Sequence, residues 1–182
     1  KTITTVGEPV TLNADRDTSG YGFITIGSGA SIVTSGGAIT LGGGSDPAMM
    51  AAKGETYGVR LSGSLDAGSG AVTIRGEATA TSGNNNYGIN IEGGAVETSG
   101  AGAIVIVGTG APSSGNTSYG VGLNTDAAIE ATGSGGITIT GTGGGTTGSS
   151  RPSTGWPPPG QSTSHRPPVP ARCWSTWRAA VG

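Results

Sequence analysis

Residues 1–150 of this 182-residue chain contain no cysteine and no histidine. This part of the chain therefore has no disulfide, no thiol nucleophile and no imidazole base, which are common parts of a catalytic site. The only cysteine, Cys173, and the only histidine, His165, come after residue 150. We expect a protein that is not an enzyme and that has no cofactor.

Charged side chains make up 11% of the chain and aromatic side chains 4%. No apolar run approaches the ~20 residues that cross a membrane, so we predict no membrane span in this segment. Residues 1–150 hold five basic and eleven acidic side chains, whereas residues 151–182 hold four arginines and no acid. An acidic body disfavours nucleic acid as a partner.

Glycine is abundant instead, with 38 residues, and it separates short alternating runs that recur along the chain. A first run opens on a Tyr-Gly pair, at Tyr21, Tyr57, Tyr87 and Tyr119. A second run centres on one apolar residue, at Ile3, Ile32, Leu65, Val96 and Ile129. A third run carries two apolar residues of one parity, at Val10/Leu12, Ile39/Leu41, Val72/Ile74, Ile104/Ile106 and Ile137/Ile139. Each run is too short and too rich in β-branched residues for a helix, so we predict strands.

The spacing of these runs is constant except in one place. The step from the second run to the third is seven or eight residues in every copy, whereas the stretch before the next Tyr-Gly pair varies in length. In a solenoid each coil lies on the coil below, so the corners repeat while an outward loop varies. We therefore predict an all-β fold, a single-stranded parallel β-helix of about four to five coils with three short strands and one protruding loop per coil.

We assign the β-solenoid repeat domain to residues 1–150, with coils that start near residues 21, 57, 87 and 119. The sequence begins in mid-coil, without an initiator methionine or a signal peptide, so we expect a piece of a longer protein. If the coils stack, equivalent aliphatic side chains lie directly over one another in the core. The test set for this prediction is Leu41, Ile74, Ile106 and Ile139.

Residues 151–182 differ in composition, since they hold all three tryptophans and seven of the ten prolines. They are a Pro-rich linker, a distinct functional tail or the product of another reading frame. Reading one nucleotide back lets Thr154 become tyrosine and Gly155 remain glycine, 35 residues (154 − 119) after Tyr119. We therefore hypothesise that this Pro/Arg/Trp-rich tail is a frameshifted fifth coil. As written we expect it to be disordered or irregular, because proline supplies no ladder donor.

An acidic column is the one candidate metal site. Asp66, Glu97 and Glu130 each follow the apolar residue of a second run, so stacked coils place them in an outward row. A cation such as Ca²⁺ could bridge carboxylates that would otherwise repel one another. A solvated face is the simpler interpretation, and we assign no metal ligand, catalytic residue or cofactor-binding residue.

Two other columns have structural explanations. An outward threonine column, broken by Val105, consists of Thr11, Thr40, Thr73 and Thr138. Threonine favours strands, so this column indicates β-structure more than ice binding. The four tyrosines of the Tyr-Gly pairs are expected to stack at a corner of the core rather than to line a sugar site.

The repeats resemble those of a known class of protein. The segments in question are YGVRLSGSLDAGSGAVTIRG, YGINIEGGAVETSGAGAIVIVG and YGVGLNTDAAIEATGSGGITITG. They look like the repeats of large bacterial β-helical exoproteins, of the filamentous-haemagglutinin-like and autotransporter-passenger kinds, over about residues 1–150. The resemblance implies export, a place outside the cell or on its outer surface, and a role as a stalk or adhesin.

Our leading hypothesis is thus a structural and adhesive segment of a large secreted or surface-exposed bacterial protein. Its variable loops would contact a host surface or glycan. The alternative is a β-helix carbohydrate-active enzyme or a phage tailspike-like fragment, and the third candidate is an inert spacer. Uncapped coil edges also predict self-association.

Overall fold

The computed structural model describes residues 1–115 and 117–145. These residues form a β-solenoid of about four turns without any helix, which confirms the predicted fold class. The predicted tail and fifth coil lie outside the described residues. In chain order the strands are β1 (Thr2–Thr4), β2 (Val10–Ala14), β3 (Ile24–Ile26), β4 (Ser31–Val33), β5 (Ile39–Gly43), β6 (Ala52–Gly54), β7 (Tyr57–Leu61), β8 (Ser64–Asp66), β9 (Val72–Ala78), β10 (Asn86–Glu92), β11 (Ala95–Thr98), β12 (Ile104–Thr109), β13 (Ser118–Asn124), β14 (Ala128–Ala131) and β15 (Ile137–Thr142).

The strands stack into three sheets, one for each run of the repeat. The first sheet has the order β3-β7-β10-β13, and the second has the order β1-β4-β8-β11-β14. The third sheet has the order β2-β5-β9-β12-β15, and β6 also pairs with β9. Every named strand pair is parallel. The chain therefore passes once through each sheet per turn, and strands of neighbouring turns form rungs about 4.8 Å apart.

The register of the second and third sheets agrees with the sequence prediction. Leu41 pairs with Ile74, Ile74 with Ile106, and Ile106 with Ile139. In the second sheet the same holds for the column Ile3, Ile32, Leu65, Val96 and Ile129. These columns form one continuous core, fully buried in the middle rungs and partly exposed at both ends. Burial of stacked aliphatic side chains is therefore the main stabilising contribution.

The sequence-based alignment of the first run is wrong at the lowest coil. Ile24 pairs with Val59 and Ile26 with Leu61, so the predicted match of Tyr21-Gly22-Phe23 to Tyr57-Gly58-Val59 fails. Tyr21 and Phe23 are exposed, at 69% and 67%. The pattern Ile-Thr-Ile places its two isoleucines in the core. Burial of these two side chains therefore sets the register of the strand, although the Tyr-Gly pair matches the later coils in sequence.

The Tyr-Gly pair marks a tight corner in the upper coils. A Cβ on Gly88 would lie under 3.0 Å from the backbone nitrogen and oxygen of Thr109, at the end of the third sheet. A Cβ on Gly120 would lie under 3.0 Å from the backbone nitrogen of Thr142. Gly88 and Ile89 are two consecutive buried residues, so the strict alternation predicted for the first run fails here. The glycine is required because backbone packs directly on backbone.

The loop after β5 leaves the third sheet without interrupting it. After β5 the chain protrudes through residues 44–51, and β6 then returns to pair with β9. The loop closes on itself through hydrogen bonds from the Gly43 amide to the Met50 carbonyl and from the Met49 amide to the Asp46 carbonyl. Ala52 is fully buried where the sheet resumes. The inserted residues thus protrude from the rung, and the strand pairing of the third sheet continues after them.

One buried hydroxyl in the core is unpaired. Thr98 is 2% exposed, and its Oγ1 has no hydrogen-bond partner among the described residues. We expect Thr98→Val to raise the free energy of unfolding by about 1 kcal/mol, because it removes an unsatisfied polar atom at nearly constant volume. Chemical denaturation measures the change.

The matched control is Thr34→Val on the same interior corner. Thr34 is also fully buried, but its hydroxyl donates a hydrogen bond to the Gly37 carbonyl. The free energy of unfolding of this variant should fall by about 1 kcal/mol. Equal destabilisation by both variants would show that the Thr98 hydroxyl has a partner in solution.

Candidate contact surfaces

Two stacked loops joined by hydrogen bonds form one surface outside the core. We call it the loop ridge, and it comprises residues 79–86, residues 111–115 and Thr117. The loops lie between the third and first sheets, one rung apart. The Asn85 amide donates to Thr117 Oγ1 at 2.6 Å, and the Ser114 amide donates to the Thr81 carbonyl at 3.2 Å. Successive loops are therefore joined by hydrogen bonds, much as successive strands are.

Two buried polar side chains fix the shape of the loop ridge. Asn86, 3% exposed, donates from Nδ2 to the Gly83 carbonyl at 3.0 Å. Ser113, 1% exposed, donates from Oγ to the same carbonyl at 2.7 Å. Beneath them lies a small apolar cluster of Ala78, Ala80 and Ala111. Buried, satisfied polar groups of this kind hold a loop in one conformation.

The outer face of the loop ridge is polar and carries no charged residue among its described positions. Its exposed residues are Thr81, Ser82, Gly83, Asn84, Asn85, Pro112 and Ser114. Such a face offers hydroxyl, amide and backbone groups for hydrogen bonding, which suits an uncharged polar ligand. The sequence predicted that variable loops make contacts but not that these two loops form one surface, although the shared Ser-Gly-Asn at residues 82–84 and 114–116 was a signal for it.

Three tyrosines stack on the outer side of the first sheet. The rings of Tyr57 and Tyr87 are 5.9 Å apart and those of Tyr87 and Tyr119 are 5.5 Å apart. The predicted stacking is confirmed for these three tyrosines. The prediction is wrong for Tyr21, which is 69% exposed, and wrong in placing the stack at a corner of the core, since Tyr119 is 49% exposed. Ring carbons of Tyr87 lie 2.6 Å from the position that a Cβ on Gly122 would occupy. Since most ring faces contact one another, the stack braces the rungs and presents mainly edges to solvent.

Polar pairs flank the tyrosine stack. Arg60 binds Glu92 at 2.9 Å and lies 5.7 Å from the centre of the Tyr57 ring. Asn124 Nδ2 donates to Asn90 Oδ1 at 2.6 Å. These contacts link neighbouring rungs on the outside of the sheet, as the core columns do on the inside. The ion pair is well exposed, so its contribution to stability is small.

Burial raises the pKa of the Tyr87 hydroxyl above its ordinary value of 10.0. Negative charge on Tyr119, Tyr57 or Glu92 acts in the same direction. The neutral phenol is thus favoured in the folded chain. Its contribution to folding stability is fully present below about pH 10 and is lost as the pH rises through the folded-state pKa. We expect Tyr87→Phe to reduce the alkaline loss of stability in thermal melts. Tyr21→Phe, outside the stack, is the control and should keep the wild-type profile.

The acidic column is in register as predicted. Glu97 pairs with Asp66 on one side and with Glu130 on the other. Asp66 Oδ1 accepts a hydrogen bond from the Gly68 amide at 2.8 Å, so this carboxylate is engaged at its own corner. Within residues 1–115 and 117–145, no three Asp, Glu, His or Cys side chains lie close enough to hold a metal ion.

The threonine column is in register too. Thr11 pairs with Thr40, and Thr40 with Thr73, while Val105 separates Thr73 from Thr138. The described residues also include no helix of the length and apolarity that crossing a membrane requires. No protein-family model, curated protein or solved structure matches the chain.

Proposed function

We propose that this chain is a structural and adhesive segment of a large secreted or surface-exposed bacterial protein. In this role the solenoid is a stiff stalk and the loop ridge makes the contact with a host surface or glycan. The proposal places the chain outside the cell or on its outer surface. It also assigns no reaction, no cofactor and no nucleic-acid partner to the segment.

The observation that carries the proposal is the order of the loop ridge. A pure spacer needs no structure in its outward loops, because the core columns alone hold the rungs together. Here two buried polar side chains, Asn86 and Ser113, fix the loops from neighbouring turns into one surface. A preorganised polar surface on a rigid scaffold is the usual arrangement of a binding site.

Binding of the full chain to immobilised glycans and to cultured mammalian cells tests this role. Ser82→Arg and Ser114→Arg add long charged side chains to exposed positions of the loop ridge. We expect each to reduce binding at least about tenfold, since a contact of this kind is lost when the surfaces no longer fit. Ser99→Arg, at an exposed corner between the second and third sheets, is the matched control and should bind as wild type.

The other two functions predict different results. A carbohydrate-active enzyme would depolymerise an acidic polysaccharide, and Asp66→Asn or Glu97→Gln would abolish that activity. An inert spacer would bind none of the surfaces, and the ridge variants would behave as wild type. Either result would overturn the adhesive proposal.

A further inference from the structure

Residues 1–150 contain no cysteine, so disulfides cannot link the turns of this part of the solenoid to one another. Backbone pairing, the core columns and side-chain contacts on the outer faces hold the turns together. The tyrosine stack is one of these outer contacts, and it is made by side chains that lose an electron readily. It spans three successive turns, with Tyr87 between Tyr57 and Tyr119.

Backbone register holds the three tyrosines in one column. Tyr87 pairs with Tyr57 on one side and with Tyr119 on the other. The ring centres of Tyr57 and Tyr87 are 5.9 Å apart, with ring planes inclined by 8°. Those of Tyr87 and Tyr119 are 5.5 Å apart, with planes inclined by 29°. Rings at these distances need only small side-chain rotations to bring a carbon of one against a carbon of the next.

We propose that one-electron oxidation joins Tyr87 to Tyr57 or to Tyr119 through a carbon–carbon bond between the rings. The product is a dityrosine that links two neighbouring turns. The oxidant is of the peroxidase class, a haem peroxidase with hydrogen peroxide. This inference rests on the geometry of the stack and is independent of the adhesive role of the loop ridge.

The coupling reaction balances with hydrogen peroxide as the electron acceptor. Each phenol gives up one electron and its hydroxyl proton and becomes a phenoxyl radical. The two radicals form a bond between ring carbons ortho to oxygen, and each of these carbons then loses its hydrogen as a proton while each oxygen regains one. Peroxide takes up the two electrons and the two protons released, and its O–O bond breaks to give two waters. Proton exchange with solvent is open, since none of the three side chains is buried.

A dityrosine here would act as a staple between turns. Tyr57 and Tyr87 are 30 residues apart (87 − 57), and Tyr87 and Tyr119 are 32 residues apart (119 − 87). A cross-link that closes a loop of this size restricts the unfolded chain, as a disulfide does. The stack would thus give a cysteine-free solenoid a covalent link that forms only under oxidising conditions.

Peroxidase treatment of the dilute full chain tests the proposal. A denaturing gel separates single chains from joined chains, and we expect dityrosine fluorescence in the single-chain band. Cleavage after glutamate places the three stacked tyrosines on separate peptides, because Glu77 and Glu92 flank Tyr87. Mass spectrometry should find the Tyr87 peptide joined to that of Tyr57 or Tyr119, with a combined mass lower by two hydrogens. Oxidation of the exposed Met49 adds oxygen instead, so it is distinguished by mass.

Phenylalanine variants keep the rings and remove the coupling. Tyr87→Phe leaves Tyr57 and Tyr119 without an adjacent phenol, so the single-chain band should lose its fluorescence. The double variant Tyr57→Phe/Tyr119→Phe keeps Tyr87 but removes both neighbours, and it should lose the signal too. Tyr21→Phe, outside the stack, is the matched control and should keep the wild-type yield. Circular dichroism before treatment checks that each variant is folded.

The urea midpoint gives a second readout. Treated wild type should unfold at a higher urea concentration than untreated wild type, whereas the same treatment should not raise the midpoint of Tyr87→Phe. Three results would overturn the proposal: no dityrosine in single chains, dityrosine confined to joined chains, or a wild-type yield from Tyr87→Phe. A dityrosine within single chains that leaves the midpoint unchanged would overturn its role as a staple.

Discussion

Replacing Gly88 by alanine is expected to destabilise the solenoid by about 3 kcal/mol or more. The new Cβ would lie under 3.0 Å from backbone atoms of Thr109 and near the carbonyl of Gly76. No flexible side chain can move aside there, so the first and third sheets would have to separate at this corner. Urea denaturation followed by circular dichroism measures the loss.

The control for this corner is Gly27→Ala. Gly27 is exposed, and a Cβ there would have no atom within 4 Å. Its expected effect is within about 0.5 kcal/mol of zero. A loss of stability at Gly27 as large as that at Gly88 would contradict the close contact between the sheets as the cause.

Ile104→Asp is expected to unfold the coils on either side of it. Ile104 is fully buried between Val72 and Ile137 in one column of the third sheet. A carboxylate there has no partner and loses its hydration, which costs at least about 4 kcal/mol. Against a total stability of about 5–15 kcal/mol, this loss leaves little or no folded population at moderate temperature. Circular dichroism at rising temperature would show a low, broad transition.

The same substitution at the end of the column should cost less. Ile137 is partly exposed because the described solenoid has no rung above it. Ile137→Asp should therefore destabilise the last rung more than the whole, and Thr138→Asp, on the outward face, should be nearly silent. Equal effects of the two substitutions at Ile137 and Thr138 would contradict the assignment of inward and outward faces.

The second and third sheets could be predicted because their signal is periodic. A single apolar residue, such as Leu65 or Val96, fixes the register of a short strand when the step to the next strand hardly varies. The first sheet was harder. Its strands hold two consecutive buried residues at Gly58 and Val59, so a pattern based on strict alternation misassigned Tyr21.

The loop ridge could be located but not described from sequence. Loop length marked where the chain leaves the rung, yet the pairing of Asn85 with Thr117 depends on two loops that meet only after stacking. Polar contacts between loops have no period, and Ser, Thr and Asn also occur in unpaired turns. For the acidic column the register of Asp66 and Glu97 could be predicted from sequence. Whether the carboxylates lie close enough to share a metal ion could not, because it depends on side-chain positions.

The protrusion between β5 and β6 separates what the surface displays from what keeps the rod folded. Residues 44–51 protrude from a sheet that continues through Ala52, and their contact with that sheet includes a hydrogen bond from Arg75 Nε to the Ala48 carbonyl. Their number and kind can therefore change while the strands below and above stay paired. Longer loops add little closure entropy once both ends are fixed. A foreign peptide inserted after Asp46 should therefore be shown on the flank of an otherwise unaltered solenoid, which makes this position a natural place for sequence drift and a practical one for display.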